Sequence, residues 1–188
     1  MAPRDLNPAI IAAARRGDRA AWEQLYRRLY PRLRAFFTRR VGRETAEDAV
    51  NETMAKAIAG IRNYEPGEAG FDGWVFGIAR HVHADHHRRS ARDLRQQHVA
   101  HRVDGSGPES SLPVDHDLDL RDDHARLRSF FEQLDPAEQE VLELRVVAGL
   151  SSGQVAALLD KSPGAVRTAQ SRALAHLRRL MEADRVDA

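Results

Sequence analysis

The chain has 188 residues and no cysteine. Disulfides, thiolate-bound zinc and thiol switching within the chain are therefore excluded. No apolar run approaches the roughly 20 residues that a membrane span requires. The first residues, Met1-Ala-Pro-Arg-Asp5, lack the apolar stretch of a signal peptide. A cytoplasmic protein is expected. No segment alternates apolar and polar residues for long, so no strands are expected. No Gly-rich phosphate loop and no nucleophile–base set is present, and an enzyme is not expected. Neither sign of charge dominates: 29 Lys and Arg face 28 Asp and Glu, for a net charge of +1.

That near-neutral total conceals segregation. Lys161 to Met181 contains no acid but carries Lys161, Arg167, Arg172, Arg178 and Arg179. From Asp104 to Asp123 the balance reverses, with Asp104, Glu109, Asp115, Asp117, Asp119, Asp122 and Asp123 against Arg121 alone. Such asymmetry points to nucleic-acid contact by one part and something different by the other. With 42% hydrophobic and 30% charged residues, the composition is that of a soluble, helix-rich globular protein.

The apolar residues fall at helical spacing. Trp22, Leu25, Tyr26, Leu29, Leu33, Phe36 and Phe37 mark one amphipathic helix, which Pro31 should kink or divide and Gly42 should stop. Thr45 is placed to cap a second helix whose apolar face is Ala46, Val50, Met54, Ala57, Ile58 and Ile61, with Asp48 favoured in its first turn. Asn63 to Gly73 has loop composition. A third long helix starts near Asp72, buries Trp74, Ile78 and Val82, and runs into Arg88 and Arg89. Apolar periodicity fades from about Gln96 to about Leu118, and Gly105–Pro113 reads as a linker. It resumes with Leu120, Leu127, Phe130, Phe131 and Leu134. Asp135-Pro-Ala-Glu138 is a capped helix start, Ser151-Ser-Gly-Gln154 a capping box, and Ser162-Pro163 a further start. The fold class is all-α: two small helical domains, 1–95 and 121–188, joined by an acidic, flexible linker at 96–120.

Two short helices, Ser151 to Leu159 and Pro163 to about Leu180, are separated by a tight turn. This is the sequence form of a helix-turn-helix, whose second helix enters the DNA major groove. Val155, Leu158 and Leu159 should turn inward to meet Val166, Leu174 and Leu177. Gly164, Arg167, Thr168, Ser171 and Arg172 then lie on the outer face. Arginine can donate two hydrogen bonds to guanine, and Ser162, Thr168, Ser171 and the helix N-terminus suit phosphates. An ordinary helical hairpin with a solvated basic face is the plainer explanation; the paired caps and the acid-free second helix favour DNA binding.

The N-terminal part offers different chemistry. Glu47, Asp48, Asn51, Glu52 and Lys56 form a mostly acidic stripe, which a solvated helix face would explain if it stood alone. Tyr64, Phe71, Trp74 and Phe76 lie beside a helix bearing Arg80, His81, His83, Arg88 and Arg89. Aromatics among cations suit single-stranded DNA, which needs stacking surfaces and backbone charge. The competing assignment puts Trp74 and Phe71 in the core, with Trp74 mostly so. His81, His83, His86 and His87 crowd one helix, and His83 with His87 has the spacing of a zinc pair. Asp85 lies nearby, but Arg80, Arg88 and Arg89 would repel a cation, so neither a metal site nor a cofactor is expected.

Glu44-Thr-Ala-Glu-Asp-Ala-Val-Asn-Glu-Thr53 resembles the core-polymerase-binding helix of bacterial sigma factors. Phe71-Asp-Gly-Trp-Val-Phe-Gly-Ile-Ala-Arg-His81 resembles their promoter-melting and minus-ten-reading segment. Leu134 to Leu142, Gly149 to Ala156 and Gly164 to Leu174 resemble their minus-thirty-five domain. The order and spacing are similar to the extracytoplasmic-function branch of the sigma-70 family, actinobacterial members above all, over about Ala20 to Met181. The resemblance implies that Glu47, Asp48, Asn51 and Glu52 dock on the clamp helices of the polymerase beta-prime subunit, with the beta flap a further contact. It implies that the loop from Asn63 through Tyr64 to Phe71 captures a flipped minus-ten base, at a cost of a few kcal/mol for extrusion. Trp74 and His81 belong to the same minus-ten surface, and Arg80, Arg88 and Arg89 hold phosphates. Ser162, Gly164, Arg167, Thr168, Ser171 and Arg172 meet the minus-thirty-five element. Asp104 to Asp123 passes through the polymerase cleft, its carboxylates standing in for phosphates. By analogy with the branch, a cytoplasmic anti-sigma factor is a candidate partner.

The chain departs from the family pattern in places. Asp160-Lys161 occupies a turn where glycine is common, although Asp tolerates left-handed backbone angles. Ala55 and Ala57 replace bulkier residues in the polymerase-binding helix. No C-terminal regulatory extension is expected. The rival reading is a helix-turn-helix regulator that binds DNA without recruiting polymerase. Such regulators usually carry a sensor fold where this chain has an acidic stripe and an aromatic loop.

Overall fold

The computed structural model describes residues 7–100 and 126–186. Helix α1 spans Pro8–Arg15 and α2 spans Arg19–Gly60, followed by a 3₁₀ turn at Ile61–Asn63. Helix α3 covers Gly70–Ala100. After helical residues 126–132 come α4 at Pro136–Leu142, a π-helical turn at Glu143–Val147, α5 at Ser152–Leu159 and α6 at Pro163–Val186. There is no strand among the described residues.

The helix starts are chemically specified. The Asp18 side chain accepts from the Ala21 amide, and Asp135 with Glu138 and Ser151 with Gln154 form complete capping boxes. Each satisfies amides that the helix itself leaves free. Pro31 does not divide α2; it is exposed, as is Arg27 one turn earlier, so the carbonyl it leaves unpaired faces solvent. The break falls at Gly42 (φ 81°, ψ 169°), in backbone space that favours glycine. The helix resumes at once, so Thr45 sits inside it rather than capping it. Helix α3 begins at Gly70, two residues before Asp72, and continues past residue 95. The remainder of the expected linker, residues 101–120, with the acidic run at Asp104–Asp123, lies outside the described residues.

Leu25, Leu29, Leu33, Phe36 and Phe37 from the first half of α2 meet Ala46, Ala49, Val50 and Ala57 from its second half and Val75, Phe76, Ala79 and Val82 from α3. The cluster does not stop at the N-terminal domain. It continues through Val141, Leu144, Ala148, Leu150, Val155, Ala156 and Val166. A second cluster holds Leu134, Leu142 and Ala173, with Phe131, Leu177 and Leu180 against it. Leu174, expected inside, is 42% exposed, and Ala173 takes the buried position. The true inward row is Val166, Ala173, Leu177 and Leu180, so the register differs by one residue at that point.

Helix α5 lies on α3 because α3 is bare there. Gly77 faces it, where a Cβ would stand 3.3 Å from Leu158 Cδ1; a Cβ on Gly73 would instead crowd Ala69 Cβ at 2.9 Å and meet Gln154 only at an ordinary 3.9 Å. Gly77 admits close approach of the two helices.

Candidate nucleic-acid interface

The helix-turn-helix is built from α5 and α6. Asp160 closes α5 in left-handed conformation (φ 52°, ψ 51°), supplying the turn without glycine. Ser162 then opens α6, its Oγ accepting from the Ala165 amide at 3.1 Å. Val166 and Ala173 pack inward, which leaves Arg167, Thr168, Ser171 and Arg172 exposed together on the opposite face. Gly164, half-buried, lies beside the Arg167 guanidinium. The Ser162 hydroxyl is used as a cap and the other five form the open face. Arg145 braces this unit: it donates to Gln170 Oε1 at 2.8 Å and to the Leu150 carbonyl.

The acidic stripe on α2 is partly engaged. Glu47 Oε1 accepts from the Tyr30 hydroxyl at 2.7 Å and from Arg34 Nε at 3.1 Å. Glu52 meets Lys56 at 2.8 Å, His86 at 3.2 Å and Arg89 at 3.8 Å. The Lys56 hydrogen bond, with His86 and Arg89, holds the Glu52 carboxyl below the usual range despite partial burial. Asp48 and Asn51 are exposed.

The aromatic residues are placed differently from the sequence expectation. Tyr64 is 4% and Phe71 3% exposed, so neither ring offers a face to a base in this arrangement. They pack edge-to-face at 5.3 Å between centroids, and the half-buried Trp74 lies 5.1 Å from Tyr64 and 5.4 Å from Phe71. Phe76 is fully buried against Phe36. What remains open around this cluster is Asn63 and the loop tip, residues 65–68. A cavity of about 430 Å³ lies beneath the loop, lined among others by Arg15, Arg28, Asp72 and Gln154.

The cations of α3 divide into two groups. Arg80 is committed to the C-terminal domain, with Nη2 2.7 Å from Glu140 and Nη1 donating to the Leu158 carbonyl at 3.2 Å. His81, Arg88 and Arg89 are exposed, although Arg88 pairs with Asp85 and His81 Nδ1 lies 2.8 Å from the Gly77 carbonyl. His83 faces a second cavity of about 640 Å³, shared with Arg39, Arg40, Glu140 and Glu143. Burial, then the neighbouring Arg40, His87 and His86, push its imidazole down to about 4. Among the described residues no group of three or more His, Asp or Glu converges on a point suited to a metal ion.

Residues that the sequence reading did not single out join the two domains. Arg40 Nε donates to the buried Glu143 at 2.6 Å. Arg32 donates from Nε to the Ala148 carbonyl at 2.6 Å and from Nη1 to Asp72 at 2.5 Å. Within the N-terminal domain, Arg28 forks onto both Asp72 oxygens at 3.3 and 2.8 Å. The one available signal was arginine recurring at four-residue steps beside an apolar helix face, which equally describes a solvated surface.

An all-helical pair of domains, one carrying a helix-turn-helix with an open basic face, defines a sequence-reading DNA-binding protein. The comparisons give the family. The chain matches Sigma-70 region 2 over residues 25–93 and Sigma-70, region 4 over residues 124–177. It is 31% identical to the ECF RNA polymerase sigma factor SigD of Mycobacterium tuberculosis, over 90% of this chain and 81% of SigD. Identity to the ECF RNA polymerase sigma factor BldN of Streptomyces coelicolor is also 31%, over 93% of this chain but 66% of BldN. Identity to the sigma factor CarQ of Myxococcus xanthus is 34%, over 89% of this chain and 92% of CarQ. The structure of CnrH in complex with the cytosolic domain of CnrY superposes with a TM-score of 0.69 at 25% identity, covering 94% of this chain and 97% of that one. The chain belongs to the sigma-70 family, among its extracytoplasmic-function members, which are alternative RNA polymerase sigma factors. Region 2 is what a free-standing helix-turn-helix regulator lacks, and its presence disfavours that rival. No helix among the described residues is long and apolar enough to cross a membrane.

Proposed function

We propose that this chain acts in the cytoplasm as a non-enzymatic initiation factor. It joins core RNA polymerase through the α2 stripe and the beta-prime clamp helices, with region 4 meeting the beta flap, and grips a promoter at two places. Arg167, Thr168, Ser171 and Arg172 read the minus-thirty-five element, with Gly164 and the capped end at Ser162 close to the backbone. The observation that carries this reading is the exposed face of the N-terminal half of α6, where Arg167, Thr168, Ser171 and Arg172 stand with no acid among them, in the same molecule as the region 2 helices. At the minus-ten element, Asn63 and the loop tip meet the extruded base, while Tyr64, Phe71 and Trp74 act from beneath as the scaffold. His81, Arg88 and Arg89 follow the backbone. Arg80 joins them only when it leaves Glu140, so promoter opening requires the two domains to separate. CnrH is bound by CnrY in its solved complex; an anti-sigma factor that holds the closed arrangement is the corresponding partner here.

Reconstitution with core polymerase tests this. Transcripts should start at promoters with fixed spacing between the two elements; a chain that joins core yet starts no RNA on any genomic template overturns the reading. Asp48→Lys and Asn51→Lys are the cleanest docking probes, because both side chains are exposed whereas Glu47 and Glu52 also serve internal bonds. Core affinity should fall with the melting temperature unchanged.

A further inference from the structure

Asp72 is a charged residue almost wholly removed from water, 3% exposed, at the point where the promoter loop becomes helix α3. Both its oxygens are taken by guanidinium groups from one face of α2, Arg28 and Arg32, one helical turn apart. Burial by itself would raise the carboxyl, and the two arginines more than offset this, holding it ionised and below its ordinary range.

The packing of α3 on α2 does not need this arrangement. Leu25, Leu29, Leu33 and Phe36 already meet Val75, Phe76, Ala79 and Val82 in a continuous apolar contact. Buried ion pairs are weak contributors to stability, because desolvation consumes most of their attraction; apolar residues of similar size often do as well. What a forked arginine–carboxylate contact provides is direction. Between Tyr64 and Gly70 the loop has no regular structure. Its main-chain ties are few: the Tyr64 amide to Ile61, Gly70 to Gly67 and Gly73 to Ala69. Its downstream end is therefore set by the first turn of α3, where Phe71 fills an apolar site and Asp72 fixes the rotation of the helix about that site.

Resting on the assignment of residues 63–71 as the minus-ten loop, we propose that Asp72, clamped by Arg28 and Arg32, is a positioning residue for minus-ten recognition: it sets the aim of the loop without touching DNA. Arg32 also holds the Ala148 carbonyl of the C-terminal domain. The clamp therefore shares one guanidinium with the domain interface.

The test uses the full chain assembled with core polymerase, and a promoter set in which each position of either element is substituted in turn. Asp72→Asn should flatten discrimination at the minus-ten positions by about tenfold, the loss expected when base contacts are misaimed, and leave minus-thirty-five discrimination unchanged. The triple variant Arg28→Met, Arg32→Met, Asp72→Leu replaces the whole clamp by apolar groups. It should lose the same minus-ten discrimination and keep minus-thirty-five discrimination, with its melting temperature lowered only by the lost Arg32–Ala148 contact, a pattern that a merely stabilising contact would not produce. Equal loss at both elements, or wild-type minus-ten discrimination in the triple variant, overturns the proposal. Asn63→Ala separates the layers. If it alters minus-ten discrimination and the clamp variants do not, the positioning claim falls and the loop assignment stands. If neither alters it, the loop assignment fails and takes the inference with it.

Discussion

The two ends of the molecule hold their proposed functional residues in different conditions. On α6, Arg167, Thr168, Ser171 and Arg172 stand exposed, and neither arginine has an ion pair among the described residues. In region 2, Tyr64 and Phe71 are buried, Glu47 and Glu52 are bonded, and Arg80 is held by Glu140. Region 4 thus offers a preformed surface. In the proposed function region 2 has to release protein contacts before it meets nucleic acid, and one of them, Arg80 to Glu140 and the Leu158 carbonyl, is made to region 4 itself. On the proposed reading, region 4 docks without rearrangement, whereas Arg80 becomes available to DNA only when the domains separate.

The strongest way to sharpen this contrast is through the shared core. Phe36 is fully buried among Phe37, Phe76 and the Arg40 guanidinium. Phe36→Ala should cost about 3–5 kcal/mol. Because the cluster spans both domains, calorimetry should show one transition moving as a unit; two transitions, with region 4 melting unchanged, would break the picture of a joined core. Next in size, Arg167→Ala should remove about 1–3 kcal/mol of discrimination at one minus-thirty-five position, measured by competition between promoter variants. Glu140→Gln should leave that value untouched.

A smaller effect in the other direction is expected at the interface. Glu140→Gln releases Arg80, and Gly77→Leu places atoms where Leu158 now lies. Each should strengthen binding of a minus-ten single-stranded oligonucleotide by the free chain, by roughly two- to fivefold given the modest worth of a half-exposed ion pair. Unchanged affinity in both would separate Arg80 from DNA binding. A separate effect, confined to acid conditions, is on pH dependence. His83 titrates near 4 in the folded chain against 6.5 when unconstrained. Between those values the unfolded chain binds the proton and the folded chain does not. His83 therefore leaves stability intact above about 6.5 and erodes it as pH falls toward 4. His83→Gln should flatten that part of a melting-temperature profile. Asp72 is also lowered, but the fold favours its charged form, so it contributes stabilisation down through mild acid and loses it only below the normal carboxylate range.

Much of this architecture was legible because it rests on local chemistry. The capping boxes at Asp135 and Ser151, the break at Gly42 and the left-handed turn at Asp160 each follow from one or two residues and their immediate backbone. The open face of α6 was legible for the same reason: which residues share a helix face depends only on spacing. Pro31 and Leu174 were misjudged where context decides. A proline facing solvent leaves α2 intact, and Ala173 takes the inward position, which leaves Leu174 outside. Tyr64 and Phe71 look alike whether they stack on bases or on each other, so their burial could not be read from their spacing.

The linear order of residues determined an all-helical chain, its helix starts, and a basic reading helix, since periodicity and caps act within a few residues of one another. Folding alone decided that the two domains share a core, that Gly77 admits α5, and that Arg28, Arg32, Arg40 and Arg80 meet Asp72, Glu143 and Glu140. Those partners lie 40 to 103 positions apart along the chain. Neither charge nor spacing chooses among such distant pairings; only the close packing of helices brings one carboxylate, and not another, within reach.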